Sequence, residues 1–346
     1  MKIFLEETKT REALFPFTLT RHVADIRLGI LTIREKWEML TGFKIITDPA
    51  LQTADSIVVQ ANIIPTVISL DQILQAARDE TPVLENDELR MLQVPWQIFQ
   101  YNDWALRHDF ESLTKGRMSA SISASNQCIN EQQIFVEENA VLEYCTLNAS
   151  TGPIYIGKNA VLMEGTQVRG PFSAGEGATV KMGTKIYGAT TLGPYCVAGG
   201  EIKNSVLFGY SNKAHEGYLG DSVIGEWCNL GAGTSNSNVK NTGGQVTYYQ
   251  YSNSPGKQAG NKAGLLMGDY SRCAINTAFN TGTVVGVCCN IFGERPPRYV
   301  PDFSWGTDRY MFDKVIQDIA NWKKMKGKDV SPPEIEMLKQ LYLNTP

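Results

Sequence analysis

The chain has 346 residues, a formal net charge of −4 and 42% hydrophobic residues, values that fit an ordinary globular protein of one large or two modest domains. No block of lysine or arginine offers a track for a phosphate backbone, which excludes nucleic acid as an expected partner. No run approaches the roughly 18 apolar residues that cross a bilayer, and the start, MKIFLEETKTRE, lacks the apolar stretch of a signal peptide; a cytoplasmic protein with no membrane partner is expected.

Residues 1–120 hold three of the 31 glycines, Gly29, Gly42 and Gly116, and none of the seven cysteines. MKIFLEE, FKIITD and SIVVQANIIP read as strands, and the apolar spacing predicts helices over 24–40, 71–78 and 102–113. This segment is expected to be a small α/β domain.

Beyond it a repeat takes over. Stepping by six from Ile156 meets Leu162, Val168, Ala174, Val180, Ile186, Leu192 and Ala198, all apolar. After shifts of register come Tyr218, Ile224 and Leu230, and then Met267, Cys273, Phe279, Val285 and Ile291. Glycine follows the inward position at Gly157, Gly175, Gly193, Gly225, Gly231, Gly268 and Gly286. A period of six is neither helical nor simple alternation. It fits a short strand that sends one aliphatic side chain inward and then turns a corner where glycine or asparagine tolerates φ > 0. Such coils stack in parallel and bury one another's edges. The expected fold class is mainly β: a left-handed parallel β-helix over 121–293. Residues 235–264, which break the repeat, would be an inserted loop projecting from one face. Residues 294–346 are expected to add two helices, over about 308–325 and from Ser331, where Ser-Pro-Pro-Glu supplies an N-cap, early prolines and a capping-box Glu334. The cysteines show no CxxC spacing and read as small buried hydrophobes.

There are three histidines, His22, His108 and His215, and only His215 lies in the repeat region. A catalytic zinc site of the three-histidine type is therefore not expected, and no metal ligands are assigned. His215 sits where the six-residue phase fails, with Lys203, Lys213 and Tyr218 near it in sequence. Lysines beside a histidine suit a phosphorylated substrate. Acyl transfer to an amine needs a base, for which a neutral imidazole is suited. It also needs a donor for the oxyanion, which a backbone N–H in Gly231-Ala232-Gly233 would provide. A structural histidine among solvated lysines is the alternative that the residues alone leave open.

KNSVLFGYSNKAHEGYLGDSVIGEWCNLGAGTSNSN resembles the acetyltransferase half of the bacterial glucosamine-1-phosphate N-acetyltransferase / UDP-N-acetylglucosamine pyrophosphorylase family, over about residues 180–290. The resemblance implies His215 as catalytic base, with Lys203 and Tyr218 holding the sugar phosphate. It places Asn229 near the reacting amine, the Ala232 N–H at the thioester carbonyl, and Asn238 near the acetyl donor and the sugar. It assigns Lys262 to the sugar or its phosphate, and Glu201 takes the place of a glutamate two residues before the phosphate lysine. Lys185 stands where the family has an arginine, and Ile275 where a serine contacts the coenzyme. The loop before Lys262 is longer and carries Tyr248, Tyr249 and Tyr251. The N-terminal segment lacks the glycine-rich loop of the pyrophosphorylase half and is about half that domain's usual size. The whole chain, including PFTLTRHVADIRLGILTIREKWE, is similar to a group of bacterial sugar nucleotidyltransferase/acetyltransferases; Arg21, Arg27 and Arg34 are candidates for phosphate binding or, equally, for structural salt bridges.

Three readings follow. The first is an N-acetyltransferase that uses acetyl-CoA on an amino-sugar phosphate such as glucosamine 1-phosphate; the resemblance implies a homotrimer with active sites at subunit boundaries. The second is a sugar-1-phosphate nucleotidyltransferase, for which Mg2+ and UTP or dTTP would be required. The third is a non-catalytic sugar-nucleotide-binding protein.

Overall fold

The computed structural model describes residues 2–251, 254–293 and 295–345. The outermost positions of the expected domains, 1 and 346, the boundary position 294, and positions 252–253 of the expected loop lie outside the described residues.

The N-terminal segment builds a three-stranded parallel sheet in which Lys2–Glu6 lies between Ile45–Ile46 and Ser56–Gln60. Its helices are α1 (Ile33–Thr41), α2 (Leu70–Arg78), α3 (Gln97–Gln100) and α4 (Asn102–Thr114). The helix expected over 24–40 is corrected. Val23–Asp25 is a single 3-10 turn, and α1 starts only at Ile33, behind a Thr32/Glu35 capping box. Between them Gly29 adopts φ +73°, and the turn is held from outside. Asp109 accepts from the N–H of Ile30 (2.7 Å), and Asn102 from that of Gly29 (2.6 Å). Backbone donors satisfied by side chains of α4 have no need of a helix.

From Gln127 onward the chain is a three-sided parallel β-helix. Among the described residues, nine strands from Ile134–Val136 to Tyr299–Val300 form the first face. Ten strands from Val141–Leu142 to Asp308–Arg309 form the second, the last of them turned back antiparallel on Ser304–Trp305. Six strands from Gln127–Ile129 to Tyr218–Gly220, continued by the pair Ser235–Asn236 and Ala278–Phe279, form the third. The coil runs past residue 293, because Tyr299–Val300 pairs with Thr283–Val285 and Ser304–Trp305 with Asn290–Ile291.

The eight hexad positions from Ile156 to Ala198 point into the prism and are 0–2% exposed; each large aliphatic among them contributes ~1.5–3 kcal/mol on burial. Met267, Cys273, Phe279, Val285 and Ile291 belong to the same core. Tyr218 does not. It lies opposite Glu201 on the outer surface, and Leu219 opposite Ile202 takes the inward place, because the inward residues Leu219 and Ile224 are separated by a step of five rather than six. The reason given for the repeat glycines also changes. Positive φ falls at other corner positions, among them Gly165, Gly183, Tyr195, Tyr210 and Trp227. The glycines after the inward residues are needed for close approach: a Cβ on Gly193 would lie 1.3 Å from the Phe208 carbonyl oxygen, and one on Gly231 2.5 Å from the Ala274 carbonyl carbon.

The first face is apolar on its outer side too. Val206, Val223, Leu266 and Val284 share one core with Phe17, Trp37, Trp96 and Ile98 of the N-terminal segment. The loop expected to project instead folds back into that core. Thr247–Tyr248 and Lys257–Gln258 pair antiparallel, and the Tyr248 ring, 2% exposed, stacks on Trp96 at 5.2 Å. The second face is covered by α5 (Phe312–Met325) and α6 (Pro332–Asn344). Lys323 pairs with Glu334 at 2.6 Å, Trp322 covers Arg272, and Lys326 reaches Asn212 at 2.9 Å. Ser331 and Glu334 form the expected capping box, whereas α5 starts later than expected, at Phe312. All seven cysteines are free, and all but Cys128 are buried.

Candidate active site

Register places the predicted residues on two adjoining surfaces. On the third face the strands align Gln167, Lys185, Glu201 and Tyr218 in one outward row, and Arg169, Tyr187, Lys203 and Gly220 in the next. A groove of about 450 Å³ runs between these rows, lined by Gln167, Arg169, Lys185, Tyr187 and Glu201 among others. Tyr187 donates to Glu201 at 2.6 Å, and that hydrogen bond, helped by burial, pushes the Tyr187 phenol up to about 12. The Lys203 ammonium sits 5.6 Å above the Tyr187 ring. Among the described residues Lys185 and Lys262 have no ion-pair partner.

Tyr218 folds back across Gly220, where a Cβ would lie 2.2 Å from its hydroxyl; glycine at this position lets the phenol lie beside Lys203. The Asn238 amide donates to Tyr218 Oη at 3.1 Å and to the Asp221 carboxylate, which also accepts from Asn204 at 2.7 Å. Burial and then the Asp221 charge hold the Tyr218 phenol well above its ordinary range. With Asn238 donating to its oxygen, the phenol's own proton is free for an acceptor in the groove. Asp221, 3% exposed, therefore organises Asn204, Asn238 and Tyr218 together. Sequence reasoning gave no role to Asp221, Gly220, Tyr187 or Arg169, although Gly-Asp closes the YLGD motif and Tyr187 falls two residues after Lys185.

His215 occupies the corner between the second and third faces and is exposed. The register Asn212 to Asn229 to Arg272 carries on through this corner, so Ala232 lies one coil beyond His215, and Ile275 one coil beyond Ala232. The N–H groups of Gly231 and Gly233 bond to the carbonyls of Cys273 (3.1 Å) and Glu216 (2.9 Å). The Ala232 N–H between them has no partner among the described residues. A free, preoriented backbone donor one coil from an exposed imidazole is an arrangement that can stabilise an oxyanion while a proton is transferred.

Not every predicted residue joins the groove. Asn229 lies on the second face, where its side-chain oxygen accepts from Asn212 at 3.3 Å. Lys262 lies just before the first-face strand Leu265–Met267, across the third face from His215. Lys213 is corrected outright. It occupies an inward position opposite Ala198, is 1% exposed, and donates to the carbonyls of His215 (2.6 Å) and Gly199 (3.3 Å). The hexad count had no warning of a lysine there. Its long stem fills the core while its ammonium reaches the corner carbonyls. Burial lowers its pKa to about 8.

The three arginines considered as phosphate ligands are committed within the fold. Arg21 is paired with Asp269 and, at 3.3 Å, with Glu226. Arg27 is paired with Glu35 at 3.3 Å, and Arg34 with Asp25 at 2.6 Å. His22 accepts from the Ala24 N–H at 3.1 Å, and His108 packs on Trp104. Among the described residues no three His, Cys, Asp or Glu side chains converge in a way that could hold a metal ion.

Residues 3–89 match the family model described as sugar nucleotidyl transferase. Over 205 residues the chain is 28% identical to the bifunctional sugar-1-phosphate nucleotidylyltransferase/acetyltransferase of Sulfurisphaera tokodaii, covering 57% of this chain and 43% of that protein. It is 33% identical over 89 residues to the bifunctional protein GlmU of Methanocaldococcus jannaschii, covering 26% of this chain and 21% of that protein. An Arabidopsis UDP-N-acetylglucosamine acyltransferase structure aligns with 65% of this chain and 90% of its own, at 14% identity and a TM-score of 0.19. The chain thus spans less than half the length of these curated relatives. The sequence relatives bear out the resemblance to bifunctional nucleotidyltransferase/acetyltransferases.

Proposed function

We propose that the protein transfers an acetyl group from acetyl-CoA to the amine of an amino-sugar phosphate such as glucosamine 1-phosphate. The observation that carries this reading is the corner itself: an exposed His215 and, one coil away, the unpartnered N–H of Ala232, beside a groove lined by Arg169, Lys185 and Glu201. In the proposed reaction the sugar phosphate lies along the third face, its charge met by Lys203, Lys185 and Lys262 and by the phenol proton of Tyr218. Asn229 and Asn238 approach the amine and the donor from either side of that face. The amine lone pair attacks the thioester carbonyl carbon while His215 takes the nitrogen proton. The Ala232 N–H stabilises the oxyanion. Collapse breaks the C–S bond, and the proton passes to the leaving thiolate, giving an amide and free thiol. Glu201 takes part by fixing Tyr187 beside Lys203. The test is thiol release from acetyl-CoA across a panel of amino-sugar phosphates; no release with any of them would refute the reading. A trimer with sites at subunit boundaries goes with it, and a monomeric mass in light scattering would count against that assembly.

The match at residues 3–89 favours a second reading, sugar-1-phosphate nucleotidyl transfer by the N-terminal segment. Against it stand the paired arginines and the missing glycine-rich loop. Pyrophosphate release from UTP or dTTP with Mg2+ and a sugar 1-phosphate would support it, and none from folded protein would reject it.

A further inference from the structure

Residues 237–264 leave the coil at Asn238 and rejoin it just after Lys262, so both ends of the excursion belong to the candidate site, while its middle is held by the N-terminal segment. Tyr248 stacks on Trp96, Tyr251 packs against Phe15 with tilted rings at 5.2 Å, and Gln100, at the end of α3, donates to the Ala259 carbonyl at 2.9 Å. From the buried Tyr248 a continuous path leads to the groove. The Tyr248 hydroxyl donates to the Gly264 carbonyl (3.3 Å), and the Gly264 N–H donates to the Asp221 carbonyl (2.8 Å). The Asp221 carboxylate accepts from Asn238, whose amide also holds Tyr218. The return end is pinned to the outgoing end, because the Ala263 N–H donates to the Asn238 carbonyl at 2.9 Å.

We propose that the N-terminal segment serves as a clamp for the sugar-phosphate site: by seizing Tyr248 with Trp96 it sets the placement of Asn238 and Tyr218 on the third face and of Lys262 at its far edge. Trp96, Gln100 and Tyr248 are positioning residues; none of them lines the groove. The clamp gives a segment of nucleotidyltransferase lineage a task in acyl transfer without nucleotide chemistry of its own. The packing is one core shared by both segments, so movement of Trp96 must be felt by the loop.

This inference deepens the acetyltransferase reading and rests on it for its kinetic consequence, so the experiment has two arms. In the first, hydrogen exchange is followed by mass spectrometry in the full chain and in its Trp96→Ala, Gln100→Ala and Tyr248→Phe variants. Exchange in peptides covering 257–264 is expected to quicken about 10-fold or more in Trp96→Ala and less in the other two, with peptides over 161–180 unchanged. In the second arm, the KM for glucosamine 1-phosphate is expected to rise about 3- to 10-fold in Tyr248→Phe, which keeps the ring and loses one hydrogen bond, while the KM for acetyl-CoA stays put. If Trp96→Ala fails to fold, the exposed Gln100→Ala decides the exchange arm. Unchanged exchange over 257–264, or equal rises in both KM values, overturns the clamp. A wild-type protein that releases no thiol sinks the acetyltransferase reading, and the exchange arm still decides the clamp.

Discussion

Gly193→Ala separates two reasons for glycine in a coil of this kind. The residue is absent from the positive-φ positions, so alanine there has no conformational penalty; the obstacle is the next coil. The new methyl carbon would lie 1.3 Å from the Phe208 carbonyl oxygen and 2.3 Å from its carbon. Both are backbone atoms, so no rotamer change relieves the clash. Relief requires the two coils to part by about 2 Å in a close-packed interior. That movement breaks the Gly193 N–H bond to Leu207 (2.8 Å) and weakens that from Phe208 to Ile224 (3.0 Å). Overpacking at ~1–3 kcal/mol plus two ladder bonds at ~0.5–1.5 kcal/mol each gives a loss of about 2–6 kcal/mol. Gly183→Ala is the control. Its φ is +67° and nothing lies within 4 Å of the added carbon, so it should cost only the left-handed penalty of about 1–2 kcal/mol. Urea denaturation followed by circular dichroism should show a larger fall in midpoint for Gly193→Ala. An equal or larger fall for Gly183→Ala would refute the close-approach explanation.

Three further outcomes follow from named groups. Burial raises the Asp302 carboxyl to about 6, so its proton is held more tightly folded than unfolded; the stability this gives is present below pH 4 and is lost as pH rises through 6. Asp302→Asn, which can still accept from the Val287 N–H, should therefore gain at most about 3 kcal/mol at pH 7.5 and nothing near pH 3.5, read by thermal melts at both pH values. Lys213 shows the opposite dependence: with its pKa lowered to about 8 by burial, the wild type should gain up to about 3 kcal/mol between pH 8 and 10.5 relative to Lys213→Met, and parallel stability curves would contradict the buried placement. Lys203→Met should raise the KM for the amino-sugar phosphate about 10- to 100-fold, the worth of a charge-assisted hydrogen bond, and leave that for acetyl-CoA unchanged in steady-state assays.

The prism was legible because its inward ladder has one dominant requirement, an apolar side chain every sixth residue, and Ile156 to Ala198 meet it without exception. Legibility ended where corner lengths varied. A step of five rather than six from Leu219 to Ile224 left Tyr218 outside and put Leu219 inside, and a lysine stem replaced an aliphatic at 213; both are visible only once the partners Ile202 and Ala198 in the preceding coil are known. The apolar outer row Val206, Val223, Leu266 and Val284 was a usable sign that the first face is covered, since a strand buried on both sides has apolar residues at successive positions. The inserted loop carried a weaker sign, three tyrosines in a polar stretch, and only Trp96 and Phe15 show what Tyr248 and Tyr251 bind to. In the N-terminal segment the split of the 24–40 pattern depended on Asp109, a residue 79 positions from Ile30; periodicity has no access to such a partner. Motif spacing named His215, Lys203, Tyr218 and Ala232 as candidates, whereas Asp221 and Gly220, which place Asn238 and Tyr218, became recognisable only through their contacts.

The acetyltransferase account is tested most directly by the initial rate of thiol release from acetyl-CoA with glucosamine 1-phosphate, for the wild type and His215→Ala at matched folding. His215 is exposed at the corner, so its truncation leaves the coil intact. The account predicts release by the wild type and a fall of about 10²–10⁴-fold in kcat for the variant. Equal rates in the two proteins would contradict it.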